Sequence, residues 1–294
     1  MHPAPPPLPA LPSRPRAPLP AGACDAHTHI FGPFDRFPLA PERNYTPPEA
    51  TPEAHRAMLD AVGFDRGIAV QGSAHGTDNR AIAAALAAAP DRLRGIAVID
   101  DTITDAELAA LRAGGFSGAR FTQIVSKRYP NGMVGVSDFR TLEKLAPRMR
   151  EHGLHAQLFA NCDTVIAARD LLLSLGIPLV IDHMAKVGQA EWNATSPLYR
   201  ELLALLREGR LWVKLTQVRS AACFPDYEDA RPFHEALLKA NPDRLVFGSD
   251  WPLLNLGDKT PDVGHLVDRF RDWTGDDALA NRILVDNPAA LYGF

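Results

Sequence analysis

The chain has three cysteines in 294 residues, Cys24, Cys162 and Cys223. They are odd in number, far apart and in no Cys-x-x-Cys arrangement, which excludes a disulfide framework and a thiolate zinc knuckle. Free thiols in a reducing, cytoplasmic compartment are the expectation. No apolar run reaches the length that spans a bilayer, so no membrane partner is expected. Basic charge is also in short supply: 31 Lys and Arg stand against 35 Asp and Glu, a formal net charge of -4. Without a basic excess to neutralise phosphates, nucleic acid is excluded as a partner. Two catalytic signatures are missing as well. No glycine-rich dinucleotide turn follows the first strand, and Gly72-Ser73-Ala74 is not the Gly-x-Ser-x-Gly of a nucleophile elbow.

What is present is a globular chain with 46% hydrophobic residues, enough for a substantial core. Nine of the first twenty residues are proline, with Arg14 and Arg16 among them and no apolar core of signal-peptide type. Residues 1–20 are therefore expected as an extended arm. Such an arm could wrap its own domain or reach a neighbouring copy in a homo-oligomer. Residues 21–294 are expected as one domain. There, short β-branched runs alternate with Ala/Leu/Arg-rich helical segments, the pattern of a parallel sheet. The predicted strands are Cys24–Ile30, Gly67–Gln71, Arg94–Ile99, Ser117–Thr122, His155–Phe159, Pro178–His183, Leu211–Thr216 and Leu245–Asp250. Helices are predicted between them, for example over Phe139–Glu151, Val165–Leu175 and Pro197–Arg207, with Asp277–Tyr292 closing the chain. Eight such units make a (β/α)8 TIM barrel, with a doubly wound open sheet as the alternative.

In a barrel the active site lies where strands end and βα loops begin, and these ends are rich in polar residues. His27 and His29 alternate on the first strand and so share a face. Two convergent imidazoles can bind a divalent metal, hold a substrate or move protons. Asp250, in Gly248-Ser249-Asp250-Trp251-Pro252, ends an apolar strand. A buried carboxylate there demands partners, and His27, His29 and His183 are the nearest in kind. Asp182, beside His183, is expected to point outward or cap a turn. Arg120 sits in an otherwise apolar strand and suits a substrate carboxylate. Gln71, Ser73 and His75 follow the second strand, Gln157 lies in the fifth, and Lys214, Gln217 and Arg219 belong to the seventh strand and its loop. Arg43 and Tyr45 occupy a long stretch after the first strand that could form a lid. Lys127 and Arg128 could add positive charge after the fourth.

The combination of Asp25-Ala26-His27-Thr28-His29-Ile30-Phe31-Gly32-Pro33, His75-Gly76-Thr77-Asp78-Asn79, Ile181-Asp182-His183-Met184 and Gly248-Ser249-Asp250-Trp251-Pro252 resembles the amidohydrolase superfamily. Within it the chain is similar to the 2-pyrone-4,6-dicarboxylate lactonase group, from about Ala21 to the C-terminus. The resemblance implies a distorted (β/α)8 barrel and a hydrolase that opens a lactone by activated water. It implies that Asp250 activates the water and that His27, His29 and His183 surround the lactone carbonyl. It further implies that Arg120 grips a substrate carboxylate and that Tyr45 stands at the pocket mouth. Ser73, His75, Gln157 and Arg219 complete the expected substrate contacts, and Gln157 replaces a tyrosine of the pyrone lactonase. A metal-dependent decarboxylase and a lactone isomerase are the alternatives within the superfamily. Arg120 cannot ligate a metal and Gln157 is a poor ligand, so a binuclear set is absent. The resembled lactonases work without metal, and none is expected here. A single Zn²⁺ on His27, His29 and Asp250 is the alternative.

Overall fold

In the computed structural model residues 3–124, 132–186 and 193–294 are described. Among them eight parallel strands run in chain order around a nearly closed barrel. These are β1 (Cys24–Thr28), β2 (Arg66–Val70), β3 (Leu93–Ala97), β4 (Phe116–Gln123), β5 (His155–Ala160), β6 (Leu179–Ile181), β7 (Trp212–Leu215) and β8 (Leu245–Phe247). The last seam closes just beyond β8. Asp250 N donates to His27 O at 2.8 Å and His29 N to Trp251 O at 2.8 Å. The expected (β/α)8 architecture is the observed one.

Between and after the strands run α1 (Pro52–Val62), α2 (Arg80–Ala88), α3 (Asp105–Ala113), α4 (Phe139–Glu151), α5 (Cys162–Ala167) and α6 (Arg169–Ser174). They continue with α7 (Pro197–Arg207), α8 (Gln217–Ser220), α9 (Arg231–Ala240), α10 (Val263–Thr274), α11 (Asp277–Asn281) and α12 (Asn287–Tyr292). Local signals set many of their starts. Thr51 caps α1 ahead of a proline in its first turn, and Thr104 and Glu107 form a reciprocal capping box on α3. The helix predicted over Val165–Leu175 is broken at Ala168 into α5 and α6. The closing helix carries a π turn over Arg282–Asp286.

One apolar layer lies between strands and helices, and a smaller one fills the barrel. Cys24, Ala26, Ile68, Val70, Val180 and Val246 pack inside with Tyr292 of α12. The register of β1 against β2 shifts between Asp25 and Thr28. Ala26 faces inward below that shift, and His27 and His29 face inward above it; such irregularities re-aim side chains beside active sites. The proline-rich arm lies against its own chain. Ser13 Oγ donates to Asp262 at 2.8 Å, and Arg271 of α10 donates to the carbonyls of Ala17 and Pro18 at 2.7 and 2.8 Å. Among the described residues no helix is long and apolar enough to cross a membrane. All three cysteines are free thiols.

Candidate active site

The C-terminal ends of the strands enclose a cavity of about 170 Å³. Asp250, immediately after β8, sits in its wall with its carboxylate buried. Oδ1 lies 3.4 Å from His27 Nε2, 3.3 Å from His29 Nε2 and 3.9 Å from His183 Nε2. Oδ2 accepts from Arg219 Nε at 2.5 Å. Burial alone would raise the Asp250 pKa. The Arg219 guanidinium and the surrounding imidazoles outweigh that and hold it well below the carboxylate range.

Each imidazole is set by a different device. His29 Nδ1 lies 2.7 Å from the Val70 carbonyl. That oxygen can only accept, so Nδ1 carries a proton, and Nε2 meets Asp250 Oδ1 on the other side of the ring. His27 is fully buried and its pKa is lowered to about 3, first by burial and then by Lys214. His183 leaves β6 on a left-handed turn in which His183, Met184 and Ala185 have φ of 52, 51 and 59°. Ser220 Oγ donates to its carbonyl at 2.6 Å and pins that turn. Burial again keeps this imidazole neutral, well below the ordinary histidine range.

Beneath the histidines lies a second, buried polar layer. Asp182 turns inward and Oδ2 accepts from Arg120 Nε at 2.9 Å and Gln157 Nε2 at 3.2 Å. Its Oδ1 is 3.2 Å from His27 Nδ1. Burial would raise its pKa, but Arg120, His27 and Lys214 hold it well below the usual value. Lys214 of β7 donates to Ala26 O at 2.8 Å and Gln157 Oε1 at 2.7 Å. Burial lowers its pKa to about 8 against the pull of Asp182. Asp25 ties the seam by accepting from Ser249 N at 2.9 Å and His27 N at 3.1 Å.

His27, His29 and Asp250 could hold a metal ion, because their ligand atoms lie within 4.8 Å of one another; His27, Asp182 and His183 form a second such group. Ligands about 2.0–2.2 Å from a tetrahedral zinc stand roughly 3.3–3.5 Å apart. The spacings around Asp250 Oδ1 match that edge for His27 and His29.

The sequence profile described as Amidohydrolase matches residues 24–294. The chain belongs to the amidohydrolase family. It is 35% identical to 2-pyrone-4,6-dicarboxylate hydrolase of Comamonas testosteroni, over 96% of this chain and 94% of that protein. It is 34% identical to 4-sulfomuconolactone hydrolase of Rhizobium radiobacter, over 94% of this chain and 91% of the relative. Among solved structures it resembles a probable 2-pyrone-4,6-dicarboxylic acid hydrolase of Acinetobacter baumannii with citric acid bound. That match has a TM-score of 0.78 at 26% identity and covers 93% of this chain and all of the other.

In this amidohydrolase the structure gathers most of the expected site. His29, Tyr45, Ser73, Arg120, His183, Arg219 and Asp250 line the cavity, and His27 lies against Asp250 and His183 just behind it. Three expectations are corrected. Gln157, expected to touch substrate, is fully buried below the cavity with both amide ends engaged by Asp182 and Lys214. His75 is held by the Pro38 carbonyl at 3.2 Å and stacks on Phe31, away from the cavity lining. Asp182, expected outside, is inside, because it continues the alternation of β6 on the same face as the inward Val180. Arg43 folds back onto Ala40 O and Thr46. Lys127 and Arg128 lie outside the described residues. The sequence pointed to Lys214 only as one more strand-end polar group. Its signal was stronger than that: a lysine between Val213 and Leu215 on a fully buried strand must be paired inside.

Proposed function

We propose that this amidohydrolase hydrolyses the ring ester of a small, carboxylate-bearing lactone, with Asp250 as the general base. The observation that carries the reading is the convergence of three imidazoles on one oxygen of a single carboxylate, in a cavity that also holds Arg120 and Arg219. The lactone hydrolases among its relatives support the same class of substrate.

The substrate's anionic group docks against Arg120, whose planar fork suits a carboxylate. A water between His29 Nε2 and Asp250 gives one proton to Asp250, and its oxygen forms a bond to the lactone carbonyl carbon. His29, anchored through Nδ1 to the Val70 carbonyl, orients this water beside Asp250. His183, neutral by burial and part of the cavity lining, faces the carbonyl oxygen as negative charge develops there, with His27 behind it. The ring C–O bond then breaks, and Asp250 returns its proton to the departing oxygen. The product is an open-chain acid. A divalent ion held by His27, His29 and Asp250 would polarise the carbonyl and acidify water; the steps above use side chains alone.

Carboxylate-bearing lactones, including 2-pyrone-4,6-dicarboxylate and sugar-acid lactones, tested by acid release with and without chelator, decide the matter. Stoichiometric acid release that survives chelation is expected. Activity lost to chelator and restored by Zn²⁺ would favour metal-dependent chemistry, including a decarboxylase. Product of unchanged ring content would mean isomerisation. Failure to open any lactone would overturn the reading.

A further inference from the structure

We propose that Lys214 is a positioning residue that fixes His27 in the tautomer with its proton on Nε2, so that His27 turns an N–H toward Asp250 and offers no lone pair to a metal. This deepens, and rests on, the reading of the site as a lactone-opening centre. The argument is a count of protons and lone pairs.

Val213 and Leu215 belong to the core between strands and helices, so Lys214 projects to the other face of β7, into the barrel. It is fully buried there. A lysine amine can only donate when charged and has three hydrogens to place. Two go to Ala26 O and Gln157 Oε1. The Gln157 amide cannot be reversed, because its Nε2 already donates to the Asp182 carboxylate. The third hydrogen has His27 Nδ1, at 3.4 Å. Asp182 Oδ1 approaches the same Nδ1 at 3.2 Å, yet it remains without a hydrogen-bond partner. It lies 3.8 Å from Lys214 Nζ as an ion pair. The lysine charge therefore faces both lone pairs.

The opposite side of the ring gives the same answer. Asp250 Oδ1 faces three Nε2 atoms. His29 is anchored through Nδ1 to Val70 O and meets Oδ1 with Nε2 at 3.3 Å. A lone pair on His27 Nε2 would face that anion and be repelled; a proton there makes the 3.4 Å contact electrostatically attractive, without forming a hydrogen bond. With Lys214 in place, the trio of His27, His29 and Asp250 has metal-like spacing but not a metal-like proton distribution.

The test is read first in substrate-free enzyme. Histidine-labelled protein is examined by nitrogen NMR of the imidazole rings, with the His27 signals assigned by their loss in His27→Gln. The expected result is the Nε2–H tautomer; an Nδ1–H tautomer overturns the proposal. In Lys214→Met the tautomer should switch to Nδ1–H, paired with Asp182. Zn²⁺ affinity by calorimetry should rise about 10–100-fold, while kcat falls and KM stays within about twofold. A folded Lys214→Met with wild-type tautomer and wild-type zinc affinity overturns it too. If that variant does not fold, the wild-type spectrum still decides. An Nε2–H tautomer in a protein that opens no lactone would keep this proposal and remove the function reading instead.

Discussion

Asp250 holds a left-handed backbone, φ +66°, a conformation that costs a non-glycine residue about 1–2 kcal/mol. The strain is sustained by its neighbours: Asp250 N bonds across the seam to His27 O, and Leu253 N closes the following turn on Asp250 O. Asp250→Asn keeps the size and removes the base. Turnover should fall by about 10³-fold with KM nearly unchanged, as steady-state kinetics on the best lactone would show. Arg120→Gln tests the anion contact. Its KM should rise at least about tenfold for a carboxylate-bearing lactone and stay put for an uncharged one. Asp182 was assigned to the wrong face, although alternation with the inward Val180 carries it inside. What alternation misses is His183, since β6 stops at Ile181. The turn through His183, Met184 and Ala185 then lets neighbouring Asp182 and His183 both reach the site. Nothing in Ile181-Asp182-His183-Met184 announces a left-handed turn, since it contains no glycine or asparagine.

Strands and most helices were legible because burial on two faces writes near-continuous apolar runs, and the helices carry explicit caps. All eight strands were found within a few residues, and the predicted bounds of α4 and α7 coincide with the observed ones. What the pattern does not encode is the shift inside β1, which decides that His27 faces inward. At that shift Asp25 accepts a long-range hydrogen bond from Ser249 N across the seam. The β1–β8 seam also sets a steric limit. A side chain at Gly248 would place its Cβ 2.6 Å from His27 Cβ and 3.2 Å from His27 N. Gly248→Ala should therefore lose about 1–3 kcal/mol of stability in denaturant titration. It should also slow turnover, because the contact displaces His27 directly. A variant with unchanged turnover would mean that the position of His27 is not critical.

At the scale of the molecule, burial of neutral histidines shapes stability against pH. His27, His55, His155 and His234 are each lowered to about 3 by burial. Below about pH 6.5 the unfolded chain binds protons that the native state refuses, so stability present at neutral pH is lost on acidification toward 3. Asp25 opposes this. Its pKa is raised to about 6 by burial, so its stabilising contribution is greatest at low pH and is lost as pH rises through 6. His75 and His183 are lowered as well, so one raised carboxyl stands against six lowered histidines and the histidines stay in control. Calorimetric Tm should be highest above pH 7 and fall steadily from pH 6.5 to 4.5; a Tm that rose over that interval would contradict the assignment. The N-terminal arm makes a smaller contribution, since Ser13, Arg16 and the Arg271 contacts to Ala17 and Pro18 are surface interactions. Removing residues 1–18 should lower Tm by only a few degrees.

The central claim is that Asp250, within a cluster of buried histidines, activates the water that opens a lactone. It is tested most directly by a single-turnover comparison of wild type and Asp250→Asn under chelation, using the lactone the wild type turns over best. The wild type should release one equivalent of acid per ring opened, and Asp250→Asn should bind the lactone with similar affinity yet open it at least about 10³-fold more slowly. Ring opening by Asp250→Asn at a rate near wild type would contradict the account.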